Sequence, residues 1–297
     1  MKPPQRTIKN EIGYEGFGLF SGEKVGLVFR PVEINSGVTF IAKGVRIPVS
    51  IKTAVPQYRR SAVGKDGVVI ETIEHLLAVL NGLGITNLDI EIKSPKLRNS
   101  YEIPNTDGSA KLFVDLLLQA GIKEQSAPRK TLKISEPIYY NEGECSIAAL
   151  PFRHQGETSP RRADKGEFSI DYTFSHSAPI IGKQHLIITL SQDNFISEIA
   201  SARTFCMADE VPHFIAQGLG KGANYQNLLV VDKDRIVDNT LRFKDEFVRH
   251  KILDLLGDLY LLNASLIGKI IAVKSGHKQN IQFVAKLAKL IDNKETS

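Results

Sequence analysis

Two segments of the chain follow the same order of residues, and this internal repeat constrains the fold more than any other feature. Pairing His75 with His250 places EHLLAVLNGLG beside RHKILDLLGDL. Each segment predicts an apolar helix that is followed by a strand and a further helix. Chance is the alternative, since helices that end at glycine before a strand are common. The repeat favours two related α+β units whose histidines meet at the interface between domains.

The predicted elements divide the chain of 297 residues into two domains. The predicted strands include Lys24–Arg30, Val38–Ala42, Asn87–Ile92, Leu186–Leu190 and Lys269–Val273. The predicted helices are Thr72–Asn81 (closed by Gly82), Ala110–Ala120, Lys244–Leu262 and Gln282–Ile291. We place an α+β domain at residues 1–125 and another at residues 126–297, joined by the polar linker Lys123–Lys130, and an exposed loop at His154–Gly166.

The composition excludes several classes of protein. A hydrophobic fraction of 42% excludes a mostly disordered chain, and two cysteines exclude a disulfide-built scaffold. The N-terminus lacks a signal-peptide core, and the apolar stretch Leu259–Gly268 is too short to span a bilayer. We therefore expect a cytoplasmic protein with no transmembrane segment. The net charge of +5 suits an anionic ligand, but no basic motif indicates nucleic acid.

The predicted helix Lys244–Leu262 carries a polar stripe within an otherwise apolar sequence. His250, Asp254 and Asp258 fall at i, i+4 and i+8, which places all three on one face. A histidine and a carboxylate one turn apart are able to bind one metal ion together. The alternative is a solvated face with i,i+4 pairs. The solvated face is the commoner arrangement, but because this helix is apolar on several sides, a buried polar stripe stays open as an interpretation.

Two further motifs place reactive residue types at the ends of predicted elements. Glu74 and His75 begin an apolar helix, where a glutamate also simply favours the helix dipole. His277 ends the motif KSGH, in which Ser275–Gly276 permits a tight turn; an ordinary surface histidine is the alternative. HExxH is absent, and the inverted HxxEH would need histidine in place of Glu71. A metal bound at His75 therefore needs ligands from elsewhere in the chain.

Together these motifs resemble the UDP-3-O-acyl-N-acetylglucosamine deacetylase family, the zinc amidases of lipid A biosynthesis. The match runs in order through GFGLFSGEKV, TIEHLLAVLNGLGITNLDIEI, EIPNTDGSA, SARTF, LRFKDEFVRHKILDLLGDL and KSGH, and it covers nearly the whole chain. The resemblance implies two α+β domains that sandwich the active site. It also implies an insert around residues 203–231 that lines a passage for a fatty acyl chain. The implied substrate is acylated UDP-N-acetylglucosamine, and we expect a monomer.

The resemblance also implies a role for each matched residue. Zn²⁺, or Fe²⁺ in its place, would be bound by His75, His250 and Asp254, with a fourth position left for water. Glu74 matches the general base, and Thr204 matches the residue that helps to hold the oxyanion.

Further roles follow from the same resemblance. His277 matches a protonated histidine that stabilises charge or protonates the departing amine, and Asp258 would keep it charged. Lys251 would contact the substrate, and Phe205 would pack near the sugar. The residues implied in the wall of the acyl passage are Val211, Phe214 and Val230.

The sequence departs from the family pattern at three places. Phe20 replaces a histidine in GLFSG, Ala223 replaces a glycine in the passage loop, and Gln57–Ser61 is bulkier and more basic than expected. None of these changes removes an implied metal ligand or the base. Two alternatives stay open, namely a zinc amidase that acts on another acetamido sugar and a non-enzymatic protein that keeps the fold.

Overall fold

The computed structural model describes residues 3–96, 98–152 and 167–295, and the loop predicted at His154–Gly166 lies outside these ranges. The α-helices are α1 (Glu74–Leu83), α2 (Lys111–Ala120), α3 (Gln192–Asn194), α4 (Val211–Ala216), α5 (Glu246–Tyr260) and α6 (His277–Glu295). The strands of the first half are β1 (Pro4–Ile8), β2 (Ile12–Phe17), β3 (Lys24–Pro31), β4 (Val38–Ala42), β5 (Val45–Pro48), β6 (Ala62–Lys65), β7 (Val68–Glu71), β8 (Leu88–Lys93) and β9 (Ser100–Glu102). The later strands are β10 (Ile122–Pro128), β11 (Thr131–Lys133), β12 (Ile138–Glu142), β13 (Cys145–Leu150), β14 (Phe168–Ser175), β15 (Lys183–Thr189), β16 (Phe205–Met207), β17 (Leu229–Asp232), β18 (Arg235–Ile236) and β19 (Ser265–Val273).

Each half contains a sheet path of five strands with the same order and the same directions. The first runs β2-β3-β8-β4-β5 and the second runs β12-β13-β19-β14-β15. Neighbouring strands are antiparallel except for β8 with β4 and β19 with β14, which are parallel. A parallel pair cannot be joined by a hairpin, and each crossover here contains a helix, α1 or α5. The predicted α+β class is confirmed, and the sequence repeat corresponds to a repeated structural unit.

The two equivalent helices, α1 and α5, pack against each other in the interior. Every residue of α1 except Asn81 is buried. Contacts join three pairs of residues that the repeat makes equivalent, and the members of each pair are separated by 175 positions. The pairs are His75 with His250 (ring centres 5.0 Å apart), Asn81 Nδ2 with the Leu256 carbonyl (2.8 Å) and the Tyr260 hydroxyl with the Ile85 carbonyl (2.7 Å). A residue meets its own equivalent near a symmetry axis, so a pseudo-twofold axis passes between α1 and α5. The prediction that the two histidines meet is confirmed.

The segment predicted as a polar linker is a strand for most of its length. Residues Ile122–Pro128 form β10, which pairs antiparallel with β1. The sequence predicts a linker between domains at Lys123–Lys130 because the segment is polar and contains Pro128. The two-stranded β1-β10 ribbon leaves part of this strand exposed, so it lacks the apolar alternation of a buried strand. Backbone pairing, which polarity does not reveal, decides its structure.

The structure also moves the ends of the predicted helices, most clearly at α1 and α6. Helix α1 has Ile73 as its N-cap instead of Thr72, whose φ of 57° is left-handed. Its C-cap is Gly84, with φ 65°, instead of Gly82. Helix α6 begins at His277 instead of Gln282. The sequence does not predict its first turn, because the polar residues HKQN carry no apolar periodicity. His277 therefore lies at the start of a helix and not in a loop.

The region of the implied insert forms a separate small layer. Residues 203–231 contain β16, a 3-10 turn at Ala208–Glu210, α4 and part of β17. Strands β16 and β17 are parallel, and β18 adds an antiparallel edge. Among the described residues, no helix combines the length and the apolar character that a membrane crossing requires.

Candidate active site

The chain enters α1 through a strained residue that places Glu74 and His75 in the first turn. Thr72 precedes the helix with φ 57°, a value that β-branched residues rarely adopt. Its hydroxyl donates to the buried carboxylate of Glu102 at 3.3 Å. Backbone strain of this kind tends to occur at functional sites. The result is a helix whose first two side chains line a cavity.

His75, His250 and Asp254 form a buried cluster between α1 and α5. One ligand atom from each residue lies within 4.8 Å of the others. Nε2 of His250 is 3.3 Å and Nε2 of His75 is 3.8 Å from Oδ1 of Asp254. Two imidazole nitrogens and a carboxylate oxygen form a donor set that suits Zn²⁺. The polar stripe on α5 is buried, with Asp258 fully so, and the solvated-face alternative is therefore wrong.

The electrostatics of the cluster keep both histidines neutral and the carboxylate charged. Burial lowers the pKa of His75 to about 3, with His250 as the next cause, and burial also lowers the pKa of His250. Nδ1 of His250 lies 3.2 Å from the Ala202 carbonyl, which leaves Nε2 free to act as a ligand. Burial alone would raise the pKa of Asp254, but His250, Lys251 and nearby histidines hold it well below its usual range.

Glu74 is a buried carboxylate that faces His277. The backbone N–H of Ser61 donates to Oε2 at 3.0 Å, and Oε1 lies 3.8 Å from Nε2 of His277. Burial raises the pKa of Glu74 to about 7, although His277 opposes this rise. A carboxylate with a pKa near neutrality suits a general base.

His277 is held by a buried carboxylate on its other side. Its Nδ1 lies 2.9 Å from Oδ2 of Asp258. Asn280 Nδ2 donates to the same oxygen at 2.8 Å, and the Ser61 hydroxyl donates to Oδ1. Burial alone would lower the pKa of His277, but Asp258, followed by Asp254 and Glu74, raises it to about 9. The imidazole is therefore a cation at neutral pH.

Three other residues named from the sequence lie around this cluster. Lys251 Nζ donates to Oδ2 of Asp254 at 2.7 Å, and this carboxylate raises the lysine pKa despite burial. The Phe205 ring packs 4.9 Å from the Phe247 ring centre and 6.2 Å from that of His250. The backbone N–H of Thr204 donates to the Gly108 carbonyl at 2.8 Å, which fixes the residue at the cavity edge.

A cavity of about 1320 Å³ extends from the cluster into the insert. Its lining includes the side chains predicted for the acyl passage: Val211, Phe214 and Val230. All three are partly exposed, which fits the wall of a cavity better than the interior of a hydrophobic core. Among the residues to which the resemblance gives a role, Asp258 is the one that does not line the cavity, and it lies behind His277.

The departures from the family pattern also lie at this cavity. Phe20 lines it, and the Arg60 guanidinium carbon lies 4.5 Å from the centre of its ring. Arg60 in turn pairs with Glu71 at 2.6 Å. Where the family has a histidine, this chain thus has Phe20 in a cation–π contact with Arg60. Ala223 lines the outer part of the cavity.

Reasoning from the sequence missed several residues that support the site. Ser61 contacts Glu74, Asp258 and His277, which lie 13, 197 and 216 positions from it in the chain. Only the fold brings it there, so no local signal marks it. Asn280, in contrast, lies three residues after His277 and would share its helix face if the helix were predicted to start at His277.

Comparison with known proteins identifies relatives over almost the whole chain. A family model described as UDP-3-O-acyl N-acetylglycosamine deacetylase matches residues 5–289. A protein of Thermodesulfovibrio yellowstonii named UDP-3-O-acyl-N-acetylglucosamine deacetylase is 39% identical over 96% of this chain and 92% of its own length. A protein of Saccharophagus degradans with the same name is 38% identical over 97% of this chain and 91% of its own. A third, from Shewanella pealeana, is 38% identical over 94% and 88%.

Proposed function

The chain belongs to the UDP-3-O-acyl-N-acetylglucosamine deacetylase family, and from this premise we propose that it hydrolyses the acetamide of UDP-3-O-acyl-N-acetylglucosamine in lipid A biosynthesis. The products are acetate and the free 2-amino group of the UDP-sugar. The observation that carries the proposal is the buried cluster of two histidines and one aspartate beside Glu74 and His277. This cluster opens into a partly apolar cavity.

The donor set fits a resident divalent cation. His75, His250 and Asp254 would hold it, since both imidazoles are neutral and the carboxylate is charged. Two nitrogens and one oxygen favour Zn²⁺, with Fe²⁺ as the alternative, and three protein ligands leave a position open. When bound, the cation would supply Lewis acidity that polarises an amide carbonyl and lowers the pKa of water.

The chain's own residues would then move the protons. Glu74 accepts a proton from the water that attacks the acetamide carbon. The Thr204 hydroxyl donates a hydrogen bond to the oxygen that becomes negative. As the C–N bond breaks, His277 gives its proton to the departing amine nitrogen, and Asp258 keeps the imidazole oriented. Lys251 orients Asp254 and contacts the substrate at the cavity edge.

The outer cavity suits the acyl chain of the substrate. Its side chains Val211, Phe214 and Val230 supply an apolar wall, which favours a hydrocarbon chain over a polar group. Phe205, whose ring centre lies 6.2 Å from that of His250, offers an aromatic face to the sugar. We propose domains at residues 1–125 and 126–297, each of which contains one of the two similar sheets, with the boundary inside β10. We also propose a monomer in the cytoplasm, because one chain supplies every site residue and a charged nucleotide sugar does not cross membranes unaided.

One experiment tests the function and the mechanism together. Metal content is measured on purified protein, and acetate release is followed with UDP-N-acetylglucosamine carrying or lacking the 3-O-acyl chain. We expect about one zinc per chain and a clear preference for the acylated substrate. Glu74→Gln keeps the size of the side chain and the metal ligands, and should lower kcat by about 100-fold or more. A Glu74→Gln protein that binds zinc and keeps normal turnover would refute the mechanism, whereas equal turnover of both sugars would favour a different acetamido substrate.

A further inference from the structure

Arg59 joins the first half of the chain to the wall of the cavity in the second half. Its Nη1 donates to Oε1 of Glu210 at 2.7 Å. Its guanidinium carbon lies 5.1 Å from the centre of the Phe214 ring. Glu210 directly precedes α4, and Phe214 lies within it. None of these contacts takes part in the proposed proton transfers.

Helix α4 is short and lies outside the hydrophobic core. It spans only Val211–Ala216, none of its residues is buried, and Ile215 is 68% exposed. A helix of this length has no stability of its own in water, so its position depends on contacts made by its ends and side chains. Glu210 links Arg59 to the backbone at the start of α4, because its Oε2 also accepts a hydrogen bond from the backbone N–H of Met207 at 3.0 Å.

The segment that carries Arg59 is itself fixed from the other side. Arg60 pairs with Glu71 at 2.6 Å and stacks on Phe20, and both members of the ion pair are largely buried. Arg59 has φ 60°, a left-handed conformation that separates the directions of the two neighbouring arginines. Arg60 therefore anchors the segment, and Arg59 contacts α4 and the residue before it.

The pairing also explains how a cation lines an apolar passage. An unpaired guanidinium beside a hydrocarbon chain would lose hydration without compensation. Glu210 neutralises it and Phe214 covers one of its faces, so the aliphatic stem of Arg59 is free to contact the chain. The exposed side chains of Tyr58 and Ile215 lie on the lining near this point, which places it at the outer end of the cavity.

We propose that Arg59, through its pair with Glu210, is a specificity-determining residue that fixes α4 as the outer wall of the acyl passage. Discrimination in favour of long acyl chains depends on this contact, while the chemistry at the metal cluster does not. The inference rests on the proposed function, because an acyl chain is the group that would occupy the passage. It concerns only the substrate atoms farthest from the acetamide.

The test compares Arg59→Ala and Glu210→Gln with the unmodified protein. The substrates are UDP-N-acetylglucosamine esters that carry butyryl, decanoyl or tetradecanoyl chains. Because the ion pair and the cation–π contact are both partly exposed, we expect about a tenfold loss of kcat/KM for the tetradecanoyl ester, carried by KM. The butyryl ester should show no change, and the double variant should lose no more than the single ones. Arg46→Ala, which removes an exposed ion pair to Asp89 on the first sheet, is the matched control and should change none of these values.

Hydrogen exchange separates this inference from the proposed function. In Arg59→Ala and Glu210→Gln, the amides of residues 211–219 should exchange faster, while those of α1 and α5 keep their rates. This readout needs no turnover, so it stands even if the unmodified protein hydrolyses none of the esters and the proposed function fails. Unchanged exchange in residues 211–219, or an equal loss of kcat/KM across all three chain lengths, would overturn the inference.

Discussion

Gly257 lies on α5 at the point where this helix crosses the start of α1, and its replacement by alanine tests how the site is assembled. A Cβ atom at this position would lie 2.8 Å from the carbonyl carbon of Glu74 and 2.9 Å from its Cα, and closer still to the carbonyl oxygen. Non-bonded carbons prefer separations of about 3.5–4.0 Å. Because the obstacle is backbone, no side-chain rotation relieves it. The two helices would have to separate by roughly 1 Å.

That separation acts directly on the metal cluster. His75 follows Glu74 on α1, whereas His250 and Asp254 lie on α5, and their ligand atoms now lie within 4.8 Å of one another. A functional site tolerates displacements of only about 0.5 Å, and a misplacement near 1 Å costs activity by about 100-fold. Overpacking should lower the free energy of unfolding by about 1–3 kcal/mol, partly offset by up to about 1 kcal/mol of alanine helix propensity.

Gly82→Ala is the matched control for this variant. Gly82 lies on α1, and its added Cβ would meet the ring of Phe195 instead of the backbone of α5. We expect Gly82→Ala to lose stability but keep about one metal per chain, and Gly257→Ala to lose both metal and acetate release. The measurements are thermal melting, metal content and turnover on the acylated substrate. If Gly257→Ala retains full metal content and turnover, the crossing does not set the ligand geometry and the reasoning is wrong.

Three further predictions concern stability and the support of the site. Nε of Arg203 pairs with Oε1 of Glu246 at 2.8 Å, so Arg203→Met leaves the buried Glu246 carboxylate without its cation. The variant should lose about 3–5 kcal/mol in the free energy of unfolding, measured by denaturant titration. A loss below about 1 kcal/mol would contradict this. Removal of the metal with a chelator should abolish acetate release and lower the melting temperature by roughly 5–10 °C, because a ligand at 100 times its Kd adds about 2.7 kcal/mol; added Zn²⁺ should restore both. Ser61→Ala should lower kcat by less than about tenfold, because the backbone N–H to Glu74 remains; a loss as large as that of Glu74→Gln would show that the hydroxyl acts in the chemistry itself.

The fold and the central cluster were predictable because their signals are local or repeated. Apolar periodicity marks α1 and α5, and i,i+4 spacing places His250 and Asp254 on one face of a helix. The strand β10 was not predictable in the same way, because its pairing with β1 joins residues far apart in the chain. The start of α6 at His277 was missed for a different reason, since its first turn is polar.

Contacts between distant segments account for the remainder of the site. Arg59 and Glu210 are separated by 151 positions, and Ser61 and Asp258 by 197. No periodicity or spacing rule connects residues at such distances. The unusual basic segment QYRRS drew attention to Arg59. Nothing in the sequence indicated that its partner is Glu210, which directly precedes α4. Pairing of this kind depends on how the two halves pack.

The pseudo-twofold axis explains why the repeat located the histidines but not the complete ligand set. His75 and His250 are equivalent and meet near the axis, so each half supplies one of them. The residue equivalent to Asp254 is Val79, which is fully buried and apolar. A repeated aspartate there would add a fourth protein ligand and produce the closed set typical of structural zinc sites. Divergence at this one pair of positions therefore leaves three protein ligands, the number that a hydrolytic site needs if water is to reach the metal.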